Sequence, residues 1–513
     1  MPAKHGNTRN LTNTTGAHEK YSVWSPDGKW IAYMSDKTGE DELYLLPADG
    51  KGEEIRLTFD GHCYRYHVLW SPDSKKLAWS DKNTSLFWID IDKKEVVQVD
   101  DNPYGELRDF NWSPDSKWLA YSKPGANEFD RVHLYSLTDR TSRPITTGMT
   151  DDYEATFDPE GKCLYFISER NYNAVLGFED FVFVEQNMQE IVAVNLAADA
   201  PSPFAPRSDE VGIDGEDEQN GDDKHDGKDE KDDKDTKEKP KDLKIDFAGI
   251  EERQVSLPIG PGSYGGLRAI EGKLFYFSFG FGGLSGPLGE QKTDLHVFDF
   301  DEREDNVFLK DIGGYDISAD NKKLLYQKDD NYGIIETEGK TGNDTEGRLD
   351  LGGMEMYLDR EAEYRQMFKE AWRLQRDYFY DSSMHGVDWP GMYERYAQLV
   401  PYAAHRFDLT YLIAEMIAEL ACSHTYTGGG DRIVPEAGGI GLLGVDWAID
   451  SAGGRFRIGR ILLGQNWIDG RRSPLTEPGS ASPRAIMYLK STATISFPRI
   501  IPIGYWPGRR ARR

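Results

Sequence analysis

The chain has 513 residues, 38% of them hydrophobic and 12% aromatic, enough to bury more than one core, so two or three domains are expected. Its formal net charge of -28 argues against nucleic acid and anionic membranes as partners, because both need a basic face. Cys63, Cys163 and Cys422 stand far apart without a CxxC pair, so their spacing suggests neither a zinc site nor a disulfide framework, and a reducing compartment fits.

Residues 1–13 lack the apolar core of a signal peptide, and no stretch reaches the ~18 apolar residues of a membrane span. One cassette then recurs along residues 1–355: Trp24-Ser25-Pro26-Asp27-Gly28-Lys29, Trp70-Ser71-Pro72-Asp73-Ser74-Lys75 and Trp112-Ser113-Pro114-Asp115-Ser116-Lys117, each followed by an apolar strand. Weaker copies stand at Phe157-Asp158-Pro159-Glu160-Gly161, Gly272-Lys273-Leu274 and Ser318-Ala319-Asp320-Asn321. Proline presets the turn, and two more strands follow in each unit, as in Glu42-Leu43-Tyr44-Leu45-Leu46 and Glu54-Ile55-Arg56-Leu57-Thr58. Four antiparallel strands per unit predict a β-propeller of about six blades, and its aromatic residues read as inter-blade core rather than as a ligand platform.

Residues 208–244 are so acidic and so poor in apolar groups that they predict a solvated loop without regular structure. Ser263 and Ser285 lie in glycine-rich stretches close to the nucleophile-elbow pattern, but Pro261 and Pro287 occupy glycine positions, so both read as loops.

From about Leu358 the apolar period changes to three or four. Met367, Phe368, Ala371, Trp372, Gln375 and Tyr378 form one stripe, ended by Asp377-Tyr378-Phe379-Tyr380-Asp381. A second helix follows Asp388 as cap, with Pro390 in its first turn. A third, predicted from Asp408, carries Leu409, Leu412, Ile413, Met416, Ile417 and Leu420 and is expected to run into Cys422-Ser423-His424. His424 is a candidate general base, but residue chemistry alone supplies neither a nucleophile nor an orienting acid. Ser423 is adjacent, and neighbouring side chains seldom meet in that geometry.

The succession of propeller, these helices, Ser423-His424 with the glycine run Gly428-Gly429-Gly430, and Gly441-Leu442-Leu443-Gly444-Val445-Asp446 resembles the tricorn protease family over residues 1–479. The resemblance implies a mainly β chain: propeller over 1–355, a helical catalytic-histidine domain over 356–430 and a partial PDZ-like domain over 431–479. It implies that His424 is the catalytic base and that Ser423 belongs to its supporting hydrogen-bond network. It further implies a cytoplasmic serine endopeptidase that cleaves oligopeptides downstream of the proteasome or a similar protease, as a homo-oligomer, with no metal or organic cofactor. The alternative is a non-catalytic propeller that binds peptides or acts as a scaffold. A prolyl-oligopeptidase-like reading is set aside, because no α/β-hydrolase elbow serine is present.

Family members carry an earlier propeller and a later catalytic domain with the nucleophile and the acid, neither of which is recognised here, so the chain alone is expected to be inactive. Residues 2–12 read as the last turn and orphan outer strand of a blade. Residues 480–513 hold Arg484, Lys490, Arg499, Arg509, Arg510, Arg512 and Arg513 and no acidic residue. Codons compatible with residues 486–493, read one base earlier, can spell Asp-Tyr-Val-Leu-Glu-Ile-Asn-Gly, a strand and turn suited to a PDZ-like domain. The tail is therefore read as frameshifted, and sequencing the gene decides it.

Overall fold

The computed structural model describes residues 9–176, 183–185, 187–207, 242–280, 282–283, 286–287, 293–430, 443–452, 455–465, 467–468, 471 and 473–476. They fall into two compact units that divide between Gly428 and Gly429.

Among the described residues six antiparallel blade sheets succeed one another along the first unit, five of four strands and a sixth of three, beside two small two-stranded ribbons. The first blade comprises Glu19–Trp24, Trp30–Ser35, Glu42–Pro47 and Ile55–Arg56, and the sixth Gly314–Ile317, Lys323–Lys328 and Asn331–Glu336. The repeated cassette folds the same way in four blades. Ser25 Oγ donates to Asp27 Oδ1 at 2.7 Å and accepts from the amide of Trp30 at 2.9 Å, while the Lys29 amide donates to Asp27 Oδ1 at 3.1 Å. Ser71 with Asp73, Ser113 with Asp115 and Ser318 with Asp320 repeat this pattern. The turn needs a left-handed residue at its fourth position, filled by Gly28 (φ 72°), Ser74 (58°), Ser116 (59°) and Asn321 (61°).

The two serines at that strained position have a task glycine could not perform. Ser74 Oγ accepts the Asp27 amide of the preceding blade at 3.0 Å, and Ser116 Oγ accepts that of Asp73 at 3.0 Å. The Trp70 and Trp112 indoles donate backwards to the carbonyls of Val23 and Leu69, each at 3.2 Å. Five apolar clusters lie between successive blades, with Leu77 and Trp79 packed against Leu43 and Leu45 in the first and Leu324 and Tyr326 against Phe275 and Val297 in the last. Trp70, Trp112 and Phe157 of the cassettes are thus inter-blade core, whereas Trp24 of the first cassette is 56% exposed.

The fourth blade receives the long insertion, between its third strand, Glu190–Asn195, and its fourth, Gln254–Ser256. Residues 208–241 of the acidic run lie outside the described residues, as does Ser285. The insertion returns at Leu243, Ile245 and Phe247, which pack on the cluster between blades three and four. Ser263 precedes the strand Tyr264–Ile270. Of the outer strand expected over residues 2–12, residues 2–8 lie outside the described residues, and residues 9–12 are not in a strand. Leu11 instead packs on Tyr33, Tyr44 and Leu46, and this contact holds the segment as a loop against the first blade.

Three α-helices among the described residues complete the first unit: α1 (Arg360–Tyr378), α2 (Trp389–Ala397) and α3 (Arg406–Ala418). Asp359 caps α1 through the amides of Glu361 and Ala362, and Asp388 caps α2 through that of Gly391 at 3.1 Å. Their core gathers Tyr364, Phe368, Trp389, Leu409, Ile413 and Met416. Two indoles lock α1 to the start of α2, the Trp372 Nε1–H donating to the Trp389 carbonyl at 2.9 Å and the Trp389 Nε1–H to the Trp372 carbonyl at 3.1 Å. The far side of α1 faces blade one. There Arg373 reaches Asp36, Arg376 makes a two-pronged pair with Glu40 at 2.7 and 2.9 Å, and Asp377 accepts the Tyr64 amide at 2.9 Å.

In the second unit the strands Val445–Asp450 and Arg455–Ile461 pair antiparallel, with a register shift between Asp446 and Trp447. Ser473 Oγ donates to the Leu443 carbonyl at 3.0 Å, and a short 3-10 turn, Pro474–Thr476, follows. Residues 480–513 lie outside the described residues. Among the described residues no helix is long and apolar enough to cross a membrane.

Candidate functional site

The turn bearing Ser423 and His424 is built on the end of α3. The apolar stripe continues past that helix to Leu420, which is fully buried, yet the helix stops at Ala418, short of the Cys422-Ser423-His424 run expected to end it. The cause is local. The Ala421 amide still bonds the Ala418 carbonyl at 2.9 Å, but Ala421 takes φ 49°, left-handed, which turns the chain out of the helix path. At its start α3 begins at Arg406 rather than Asp408, because His405 and Asp408 form a reciprocal capping box.

A second histidine supports the turn. His385 Nδ1 donates to the Leu420 carbonyl at 2.9 Å, and its Nε2 meets the Tyr380 hydroxyl. His385 is positioned by Asp381, which accepts the amides of Ser383 at 2.9 Å and His385 at 3.1 Å. The chain between α1 and α2 is therefore a shelf beneath the α3 terminus. Sequence reasoning missed His385; its one local signal is the Asp381-Ser382-Ser383 turn before Gly386.

Beyond Leu420, Thr425 Oγ1 donates to the Cys422 carbonyl at 3.0 Å, and the Cys422 thiol to the Ser423 carbonyl at 3.2 Å. His424 sits at φ 65°, and its exposed ring lies edge-on to Tyr426, centroids 6.2 Å apart. Ser423 is exposed as well. The structure brings the two candidates together on one turn but does not bond one side chain to the other. Among the described residues no hydrogen-bond partner of either His424 ring nitrogen or of Ser423 Oγ is found. Such an imidazole can take a proton from a hydroxyl presented to it.

Residues 1–338 match the family model for the tricorn protease second beta propeller domain, residues 360–418 that for the tricorn protease C1 domain and residues 441–485 that for the tricorn protease PDZ domain. Tricorn protease homolog 1 of Streptomyces coelicolor is 28% identical over 503 residues, covering 93% of this chain and 45% of the relative. A putative tricorn-like protease C-terminal subunit of Sulfurisphaera tokodaii is 27% identical over 477 residues, covering 91% and 51%. The crystal structure of the tricorn protease superposes with a TM-score of 0.68 at 20% identity over 90% of this chain and 43% of that one, a likeness of fold. The chain thus spans about half the length of the curated relatives it matches.

Proposed function

The chain belongs to the tricorn protease family, and on that premise we propose that it contributes the general base, His424, and a propeller to a serine endopeptidase that cleaves oligopeptides. Its substrates are products of the proteasome or a comparable protease, and it acts in the cytoplasm as a homo-oligomer. Ser423 belongs to the hydrogen-bond network that supports the base in the assembled site rather than attacking substrate. The observation that carries this reading is the exposed His424 ring, held on a left-handed turn and, among the described residues, without a hydrogen bond to its ring nitrogens.

This polypeptide alone is inactive on the same reading. What supports that is the lack, among the described residues, of a hydroxyl, thiol or carboxylate bonded to the His424 ring. Fluorogenic tri- and tetrapeptides assayed with the 513-residue chain and with His424→Ala test it: neither is expected to turn over, and turnover that vanishes in the variant overturns the incompleteness. With a family member's nucleophile-bearing domain supplied, His424→Ala should lower kcat by about 10²–10⁴-fold with KM little changed. An unchanged kcat there removes the base assignment.

A further inference from the structure

A cluster with metal-ligand chemistry lies outside the His424 turn, where the connection between blades one and two meets the end of the second strand of blade two. His62, Cys63 and Asp81 place a ring nitrogen, a thiol sulfur and a carboxylate oxygen all within 4.8 Å of one another. We propose that His62, Cys63 and Asp81 form a Zn²⁺ site with three protein ligands and an open fourth position.

The donor set is one that Zn²⁺ favours: a thiolate, an imidazole and a carboxylate, at metal distances near 2.3, 2.0–2.1 and 2.0–2.2 Å. A tetrahedral ion at those lengths needs ligand atoms about 3.3–3.8 Å apart. Side-chain torsions of the exposed His62 can supply much of that contraction, since its ring is not packed in the core as the Cys63 and Asp81 side chains are.

The surroundings hold each ligand as a metal site requires. His62 Nδ1 donates to the Asp60 carbonyl at 2.8 Å, which fixes the tautomer and leaves the Nε2 lone pair available. That lone pair accepts from Asn83 Nδ2 at 2.9 Å, a bond a metal would displace. Asp81 Oδ1 accepts the Ser85 amide at 3.2 Å, leaving Oδ2 for the ion. The loop bearing His62 and Cys63 is itself pinned: the Gly61 amide donates to Glu42 Oε1 at 2.8 Å, and Arg65 pairs with Asp60 at 2.7 Å. A Cβ at Gly61 would lie 2.4 Å from the Asp41 carbonyl oxygen, so the loop has little room to settle elsewhere. On binding, Zn–S, Zn–N and Zn–O bonds form, and the Cys63 proton passes to solvent.

Co²⁺, which reports thiolate ligation by a charge-transfer absorption, and Zn²⁺ are the probes, used on the full 513-residue chain. One equivalent of Co²⁺ should produce that absorption, and Zn²⁺ should bleach it. Calorimetry in buffers of different ionisation enthalpy should find one proton released per Zn²⁺. Cys63→Ser and Asp81→Asn should abolish the absorption, and Cys422→Ser should leave it intact. His62→Ala alters an exposed side chain, so it tests the site without threatening the fold, and it should weaken Zn²⁺ by at least about 10-fold. No charge-transfer absorption, an absorption that survives Cys63→Ser, or unchanged affinity in His62→Ala overturns the proposal.

Discussion

Arg373 Nη2 lies 2.6 Å from Asp36 Oδ2, joining the first helix to the first propeller blade through side chains only 5% and 4% exposed. Asp36 also accepts the His18 amide at 2.7 Å and Gln366 Nε2 at 3.0 Å, and Arg373 donates to the Gly39 carbonyl at 3.1 Å. Breaking one side of such a pair leaves a buried charge uncompensated, at a cost of about 3–5 kcal/mol. Arg373→Met is therefore expected to lower the urea midpoint strongly. Adding Asp36→Leu to it should cost less than the sum of the two single changes, and strict additivity would show the contact to be incidental.

Glu370 stands beside this pair. Burial alone would raise its carboxyl, but the His18 hydrogen bond and the Arg373 guanidinium bring it down from 4.5 to about 2. A carboxyl depressed in the folded state stabilises above its unfolded value, and that contribution is lost as pH falls from about 4.5 towards 2. The contribution is on the order of 3 kcal/mol. Glu370→Gln should flatten the stability profile in that window while lowering stability near neutrality. An unchanged acid limb in denaturant titrations at successive pH values would count against it.

Ser74 tests the blade-to-blade bond. Ser74→Ala keeps the left-handed residue but strands the Asp27 amide, at a cost of about 1–2 kcal/mol. Ser74→Gly also loses the acceptor but relieves φ 58° and should cost less. Thermal unfolding of both variants reads the order, and equal Tm values with the parent would show that the hydroxyl contributes nothing.

His424→Ala removes an exposed ring with no hydrogen bond among the described residues, so stability should change by less than about 0.5 kcal/mol. A matching Tm would make any loss of activity in the assembled enzyme chemical rather than structural. A fall of several degrees would mean that the ring packs in a way its exposure does not suggest.

The blades were legible because each cassette carries its turn in contiguous residues: Ser25 and Asp27 make the same bonds as Ser71 and Asp73. The Asp388 cap of α2 was legible for the same reason. The end of α3 was not, because hydrophobic burial continues to Leu420 while the backbone leaves the helix at Ala421, and apolar periodicity reports only burial. His405 as a cap escaped notice since histidine is no usual capping residue. Contacts such as Arg373 with Asp36, 337 positions apart, have no sequence signature at all. The candidate base was visible as a residue, but its role came from resemblance, since its chemistry depends on groups that periodicity and spacing cannot bring to it.

The insertion in blade four has a topological consequence. It leaves near Arg207, which donates to the Phe300 carbonyl at 3.2 Å beside blade five, and returns at Leu243, whose amide bonds Asp115 at 3.0 Å beside blade three. The fourth strand, Gln254–Ser256, is then held by its pairing with Glu190–Asn195 and by Arg253 Nε donating to the Asn195 carbonyl at 3.0 Å. None of those bonds requires the covalent path between them. Within the first unit, residues 1–207 and 242–428 meet not only at that β-sheet seam but also through the apolar cluster between blades four and five and the Arg373–Asp36 and Arg376–Glu40 pairs of α1 with blade one, so that, synthesised as separate polypeptides, they carry complementary faces.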